Sequence, residues 1–174
     1  MAILPIKVYP DPILHKKAKE ITKIRKRTLN LINNMIETMY AANGIGLAAN
    51  QVGVLHRIII MDTSQNEKDK NHHNPVVLIN PEILSCEGEN VGEEGCLSFP
   101  EIRVEIRRAT QVRAKALNVN GETIEIEATG LPSRVLQHEI DHLNGIVFID
   151  RMEKQTRESL KNQLEMLKKR KVST

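Results

Sequence analysis

Residues 131–145 read LPSRVLQHEIDHLNG, and this stretch predicts a helix that carries a metal site. Pro132 suits the first turn of a helix, and Gly145 suits the position just after its end. His138 and His142 are four residues apart. Residues with that spacing lie on one helix face, one turn apart, so both imidazole rings can reach a single cation.

A catalytic metal site needs a third protein ligand and an open position for water. Glu139 follows the first histidine and can act as a general base toward that water. The continuation HEIDHLNGIVF lacks the last histidine of the metzincin pattern, because Phe148 stands there. The residues alone leave several candidates for the third ligand: Glu153, Glu158 and Glu165, as in thermolysin-like enzymes, and the two cysteines, Cys86 and Cys96.

The two cysteines lie in different surroundings. Cys96 lies in EEGCLS at residues 93–98, where Gly95 allows the backbone to approach a neighbour closely. Cys86 lies in an ordinary polar stretch, SCEGEN, and we expect it to be a bystander. In a chain without an export signal, free thiols or a metal ligand are favoured over a disulfide.

A third motif, GIGLAANQVG at residues 44–53, is dominated by small residues. Its Gln51 amide can donate a hydrogen bond to a developing oxyanion. A tight turn between a helix and a strand, with a buried glutamine, explains the same letters. The G-x-G within it is weak evidence for a nucleotide site, because the third glycine of the nucleotide fingerprint is missing.

Hydrophobic periodicity and turn residues predict an α+β fold, with antiparallel strands in the middle of the chain and helices near both ends. The antiparallel sheets are expected to pack around the helix that carries the histidines. The expected elements are a helix over 24–43, strands over 56–62 and 76–80, a mobile polar loop over 63–75, a hairpin of 112–117 and 123–127 turning at Asn120-Gly121, and a last helix over 155–171.

Composition narrows the function classes. The chain has 174 residues, which fits one domain, and only 2% are aromatic, so binding of nucleic acid by base stacking is disfavoured. No apolar run reaches the length of a membrane span, and the N-terminus resembles neither a secretory signal nor a transit peptide. We therefore expect a cytoplasmic protein with no membrane partner and no sequence-specific nucleic-acid partner.

Positive charge is concentrated at the C-terminus. Residues 151–174 carry eight Lys/Arg and three Asp/Glu, whereas residues 1–150 carry 17 and 19, giving net charges of +5 and −2. A basic tail can face an anionic partner such as RNA, although a solvated helix face is the simpler interpretation.

Three motifs, in this order, resemble those of the peptide deformylase family: GIGLAANQVG at 44–53, EEGCLS at 93–98 and QHEIDH at 137–142. The resemblance extends to Ile-Asn-Pro at 79–81 and favours the bacterial type with a C-terminal helix. It implies a catalytic domain over 1–150, with 151–174 as a basic helix of the same domain. It also implies hydrolysis of the formyl group of N-formyl-methionyl nascent peptides in the bacterial cytoplasm, with release of formate.

The resemblance assigns roles to individual residues. It makes Cys96, His138 and His142 the metal ligands, with hydroxide on the metal attacking the formyl carbon. The catalytic residues it implies are Glu139, which shuttles the proton, and Gln51 and the Leu97 N–H, which stabilise the oxyanion. The implied metal is Fe²⁺, for which Zn²⁺, Ni²⁺ or Co²⁺ can substitute.

The same resemblance places the substrate as an added strand against Ile45 and Gly95, and implies that a basic C-terminal helix docks on the ribosome. The expected substrate-binding residues are Ile45, Gly46, Glu94, Gly95, Arg103, Leu131, Arg134 and Val135. Two other classes remain: another metallo-amidase or peptidase, and a non-catalytic metal-binding module on the ribosome.

Overall fold

The structure is a computed structural model that describes residues 2–64 and 73–172, so most of the predicted 63–75 loop lies outside the described residues. Within these residues, four α-helices and seven β-strands follow one another. They are α1 (Lys26–Ala41), β1 (Gly46–Ala48), β2 (Ile58–Met61), β3 (Val76–Glu87), β4 (Asn90–Cys96), β5 (Phe99–Arg108), β6 (Gln111–Leu117), β7 (Thr123–Thr129), α2 (Leu131–Leu143), α3 (Lys154–Ser159) and α4 (Lys161–Val172).

The strands form two antiparallel sheets, which confirms the α+β prediction. The larger sheet has the order β1-β2-β3-β6-β7, and β4 and β5 form a two-stranded sheet. Alternation along β2 separates two layers: Ile59 packs toward α2, while Ile58 and Ile60 pack toward α1. The predicted hairpin of β6 and β7 is present, and Gly121 adopts the positive φ of 82° that its turn requires. α2, which carries both histidines, thus packs against the larger sheet.

Strand β3 continues seven residues beyond the predicted end at residue 80. Pro81 lies within this extension, and proline lacks the N–H that a regular ladder needs. The structure instead shifts the register between Ile79 and Glu82, with Asn80 at a positive φ of 52°. The Asn80 side chain bonds both the N–H and the carbonyl of Ile21, at 2.8 Å each, which fixes this bulge to the N-terminal segment.

The predicted C-terminal helix is present but interrupted, because the tail forms two helices that meet at Leu160. Ser159 donates its hydroxyl to the Thr156 carbonyl at 2.7 Å, and such bonds back to the preceding turn often bend a helix. Leu164 and Leu167 are 7% and 6% exposed and pack in one cluster with residues of β5. The tail is therefore part of the packed structure, with only its other faces free to meet a partner.

Among the described residues, no helix is both long enough and apolar enough to cross a membrane.

Candidate metal centre and active site

The chain brings one thiol and two imidazoles together. Cys96 ends β4, and His138 and His142 lie on α2; one donor atom of each lies within 4.8 Å of the other two. The Cys96 Sγ is 3.3 Å from the His142 Nε2. Within residues 2–64 and 73–172, no other group of three or more His, Cys, Asp or Glu side chains is as compact. Cys86 is exposed at the end of β3 and lies outside the group.

These three side chains fit a first-row divalent metal. A thiolate with two imidazoles is a donor set that zinc, iron, cobalt and nickel accept, and three ligands leave a position open for water. A buried carboxylate oxygen, Glu139 Oε2, has no hydrogen-bond partner in the described part of the chain. An unpaired oxygen of this kind is suited to a water molecule held in the same cavity.

Glu139 is 4% exposed and lines the cavity beside His138. Burial raises the pKa of its carboxyl to about 7, the positive charge of His138 opposes that rise, and the negative charge of Glu94 adds to it. Gly46 makes the position possible, because a Cβ there would lie 2.4 Å from the Glu139 Oε1. A carboxyl with a pKa near neutrality can both accept and return a proton at ordinary pH.

Gln51 lies in a short 3-10 helix, Ala49–Val52, directly after β1. Its Oε1 accepts the Ala48 N–H at 2.8 Å, which fixes the direction of the amide. Its Nε2 lies 3.2 Å from the Ser98 Oγ and 3.5 Å from the Cys96 Sγ. The glutamine is therefore buried in a tight turn with its Nε2 beside the Cys96 thiol, and its role as an oxyanion donor stays a prediction.

The buried Glu94 carboxylate supports His138 from behind. Its Oε2 lies 2.9 Å from the His138 Nδ1, and its two oxygens accept the Arg108 guanidinium at 2.9 and 3.1 Å. Burial alone would raise the pKa of Glu94, but the bonds from His138 and Arg108 outweigh it and hold that pKa at about 2. A carboxylate on the outer nitrogen of a metal-binding histidine fixes the ring orientation and tautomer.

This buried network continues through Asp141. Arg108 also donates to one Asp141 oxygen, and Arg151 bonds the other at 2.6 Å. β5, α2 and the start of the tail are thereby joined behind the histidines. Sequence reasoning missed Arg108 and Asp141: Arg108 is 33 residues away from its partner, and no local pattern marks that contact.

A cavity of about 610 Å³ opens beside Cys96 and His138. Gln51, Leu97 and Glu139 line it together with Cys96 and His138. All the predicted substrate-binding residues also line it: Ile45, Gly46, Glu94, Gly95, Arg103, Leu131, Arg134 and Val135. Their assignment to substrate stays a prediction, but the fold brings them to one place.

The two arginines of that set have different surroundings. Arg103 is exposed and bonds Glu93 at 3.1 Å, so its guanidinium reaches solvent at the cavity rim. Arg134 donates to the carbonyls of Gly92 and Ile106 at 3.3 and 2.8 Å, and to Glu94 at 2.9 Å. The Arg134 guanidinium thus ties α2 to the small sheet.

Replacing Arg108 with leucine will destabilise the protein strongly, because it leaves two buried carboxylates without their shared cation. Removing one partner of a buried pair typically lowers the free energy of unfolding by about 3–5 kcal/mol. The neighbouring Arg107 provides a matched control, since its ion pair with Glu89 is exposed. Arg107→Leu will change stability by about 1 kcal/mol or less. Urea unfolding of the metal-free proteins measures both; equal effects would contradict the prediction.

Comparisons with known proteins agree with this geometry. A family profile described as "Polypeptide deformylase" matches residues 3–158. A protein of Thermodesulfovibrio yellowstonii named peptide deformylase is 56% identical over 158 residues, which span 91% of this chain and 94% of that protein. The crystal structure of a peptide deformylase from Legionella pneumophila superposes with a TM-score of 0.88 at 39% identity, over 99% of both chains. That from Thermotoga maritima gives 0.81 at 46% identity, over 88% of this chain and 99% of the other.

Proposed function

Because the chain belongs to the polypeptide deformylase family, we propose that it removes the formyl group from N-formyl-methionyl nascent peptides and releases formate. One observation carries the proposal: Glu139 and Gln51 line the same cavity as Cys96 and His138, which cluster with His142 as one thiol and two imidazoles. A metal-binding module without catalysis has no use for a buried carboxylate with an unpaired oxygen.

We propose Cys96, His138 and His142 as the metal ligands. A divalent metal held there supplies Lewis-acid chemistry, polarising the formyl carbonyl and lowering the pKa of water to about 7. The Glu139 Oε2 accepts the proton of the attacking water and returns it to the leaving amine nitrogen. The Gln51 Nε2 and the Leu97 N–H donate to the oxygen that becomes negative, and one such donor contributes about 3–4 kcal/mol.

The substrate lies extended, since the main chain is the feature that all nascent peptides share. Its backbone runs against Ile45 and Gly95 at the cavity edge, as an added strand would. Ile45 and Leu131 are 37% and 51% exposed at that edge, so their apolar surface is available to cover an unbranched side chain such as methionine. The exposed Arg103 lies where it can meet the peptide carbonyls.

Formate release from formyl-Met-Ala-Ser, measured beside elemental analysis of fresh protein, tests this function. We expect stoichiometric metal and turnover that requires the formyl group. Cleavage of unformylated Met-Ala-Ser would support the alternative of a peptidase, and metal without any turnover would support a non-catalytic module. Either result would overturn the proposal.

We propose Fe²⁺ as the native metal. Two imidazoles and one thiolate suit zinc equally well, so affinity does not select iron; the family resemblance does. Anaerobic Fe²⁺ protein will turn over faster than the Zn²⁺ form and will lose activity in air, since oxygen can oxidise the metal and then Cys96. Ni²⁺ or Co²⁺ will give a more durable enzyme. A Zn²⁺ form as fast as the Fe²⁺ form would contradict the metal assignment and leave the ligands untouched.

We also propose that the enzyme acts in the cytoplasm and meets the ribosome through the basic tail, residues 151–174. Truncating the tail would expose the surface that Leu164 and Leu167 cover, so a loss of binding could come from misfolding. Lys161→Glu with Lys169→Glu is the sharper test, because both residues are exposed and both leucines stay. We expect weaker sedimentation with ribosomes and unchanged turnover of a short peptide. Unchanged sedimentation would reject this docking site.

A further inference from the structure

A second basic surface lies at the other end of the chain. Residues 16–27, KKAKEITKIRKR, carry seven Lys/Arg and one Glu, a net charge of +6; we call them the basic segment. The following residues, 28–150, carry nine Lys/Arg and 17 Asp/Glu, a net charge of −8. The segment is therefore a compact positive region beside an acidic body.

The cations of this segment differ from those between residues 76 and 151 in having no ion-pair partner among the described residues. All seven are exposed, and none forms an ion pair within the described part of the chain. Between residues 76 and 151, by contrast, every Lys and Arg side chain pairs with a carboxylate: Arg103, Arg107, Arg108, Arg113, Lys115, Arg134 and Arg151. The basic segment thus presents charge that the protein itself does not neutralise.

The backbone beneath these cations is held in place. The Ala18 N–H bonds the Leu143 carbonyl at 2.8 Å, and the Lys19 N–H bonds the Leu55 carbonyl at 3.0 Å. Ala18 and Ile21 are buried, so their side chains anchor the segment while the charged ones project outward. A surface fixed in this way loses little conformational entropy when it binds.

Two cations of the basic segment lie where positive charge does not stabilise the fold. Arg25 is the N-cap of α1, Arg27 lies in its first turn, and that turn has no acidic residue. The N-terminus of a helix carries partial positive charge, so cations there are unfavourable, and neighbouring like charges add repulsion. A requirement for binding explains their presence better than a requirement for stability.

Three of these cations converge on a pocket. Lys23, Arg25 and Arg27 line a shallow cavity of about 130 Å³ together with His56, which comes from a neighbouring segment, and Glu20. Lys19 pairs with His56 in a short β-bridge, which brings a further cation near. The pocket and its surroundings suit an anionic group with several oxygen acceptors, such as a phosphate.

We propose that the basic segment binds the phosphodiester backbone of folded RNA. The segment contains no aromatic side chain on which a base could stack, so it contacts the backbone and does not read single-stranded bases. RNA is favoured over an anionic membrane because, if the proposed deformylation is correct, the substrate emerges from the ribosome, whose surface is largely RNA.

The position of the segment is compatible with catalysis. α1 has 16 residues and so spans about 24 Å. The basic segment ends in the first turn of α1, while Ala42, Asn43 and Gly44, just after the last residue of α1, line the catalytic cavity. RNA bound at the start of α1 therefore leaves the cavity free to receive a peptide end.

The test is a charge reversal, Lys23→Glu with Arg25→Glu and Arg27→Glu, in the full chain with its tail intact. Binding to purified ribosomal RNA at 150 mM salt will weaken by about tenfold or more. The slope of log binding constant against log salt concentration will become less steep by about two to three, because three phosphate contacts are lost. Melting temperature will stay equal or rise, since acidic residues are favourable at a helix start. Turnover of formyl-Met-Ala-Ser will not change.

A matched control reverses the same number of charges on another surface: Arg107→Glu with Arg113→Glu and Lys115→Glu, all exposed. We expect it to retain RNA binding within about twofold at this salt concentration, where charges farther apart than about 8 Å are largely screened. Equal weakening in both variants would show only a net-charge effect and would overturn the proposal. A variant with glutamine at positions 23, 25 and 27 replaces the reversal if that protein fails to fold.

Binding to vesicles of phosphatidylcholine and phosphatidylglycerol tests the alternative that the basic segment binds an anionic membrane. Vesicle binding that depends on the segment, with RNA binding unaffected by the reversal, would overturn the assignment to RNA. Absence of formate release by the wild-type protein would instead reject the proposed deformylation, and the RNA measurement would still stand on its own.

Discussion

Glu139→Gln will lower formate release by about 10²–10⁴-fold and leave the bound metal in place, because glutamine keeps the shape of the side chain and cannot accept a proton. Glu139 is not one of the three clustered donors, and its Oε2 has no other partner in the described chain. Nothing in the arrangement therefore requires its charge for holding the metal. Turnover of formyl-Met-Ala-Ser and elemental analysis, made on the same sample, separate the two effects.

Glu125→Gln is the matched control for that variant. Glu125 is exposed on β7 and bonds Arg113 at 3.1 Å, well away from the cavity lining. It will retain wild-type turnover and metal content. Loss of metal in Glu139→Gln would make Glu139 a ligand, and turnover within tenfold of the wild type would remove it as the proton shuttle.

Local sequence signals were enough to predict the helix that carries the histidines. Pro132 lies in the first turn of α2, and Gly145 follows its C-cap residue. The four-residue spacing of His138 and His142 places them on one face of the helix, whatever surrounds them. The hairpin of β6 and β7 was predictable for the same reason: alternation and an Asn-Gly turn are features of neighbouring residues.

The rest of the site depends on contacts between distant residues. The third donor could not be chosen from the chemistry of the residues alone, because Cys96 meets His142 across 46 positions of the chain. The burial of Arg108 between Glu94 and Asp141, 14 and 33 positions away along the chain, likewise depends on distant residues. The resemblance to a family supplied Cys96, but it did not supply the charged network behind His138.

The interruption between α3 and α4 is another feature that local sequence patterns did not predict. The leucine spacing over 155–171 predicts one amphipathic helix, and periodicity alone does not register a bend of the backbone. Packing of Leu160, Leu164 and Leu167 against a common cluster and the Ser159 hydroxyl bond favour two short helices there. Because Leu164 and Leu167 are buried, a partner that binds the tail contacts its exposed, charged faces.

Replacing each of the two cysteines with alanine will have different effects on metal content and activity. Cys96→Ala removes the only sulfur donor of the cluster and will lower metal affinity by more than the 10–100-fold typical of residues that merely support a ligand. Activity will fall together with metal content, because the Lewis-acid chemistry needs the ion in place. Cys86→Ala removes the same atom from an exposed position at the end of β3 and will leave metal and turnover near wild type.

The paired measurement is metal content after dialysis against a chelator, with turnover of formyl-Met-Ala-Ser on the dialysed samples. Excess Fe²⁺ or Ni²⁺ in the assay will restore little activity to Cys96→Ala, since His138 and His142 alone offer two ligands where a catalytic site uses three. A Cys96→Ala protein that keeps its metal, beside a Cys86→Ala protein that loses it, would transfer the thiolate role to Cys86. Because Cys86 lies outside the cluster of donors, that result would also require a different arrangement of β3 and α2 from the one in this structure.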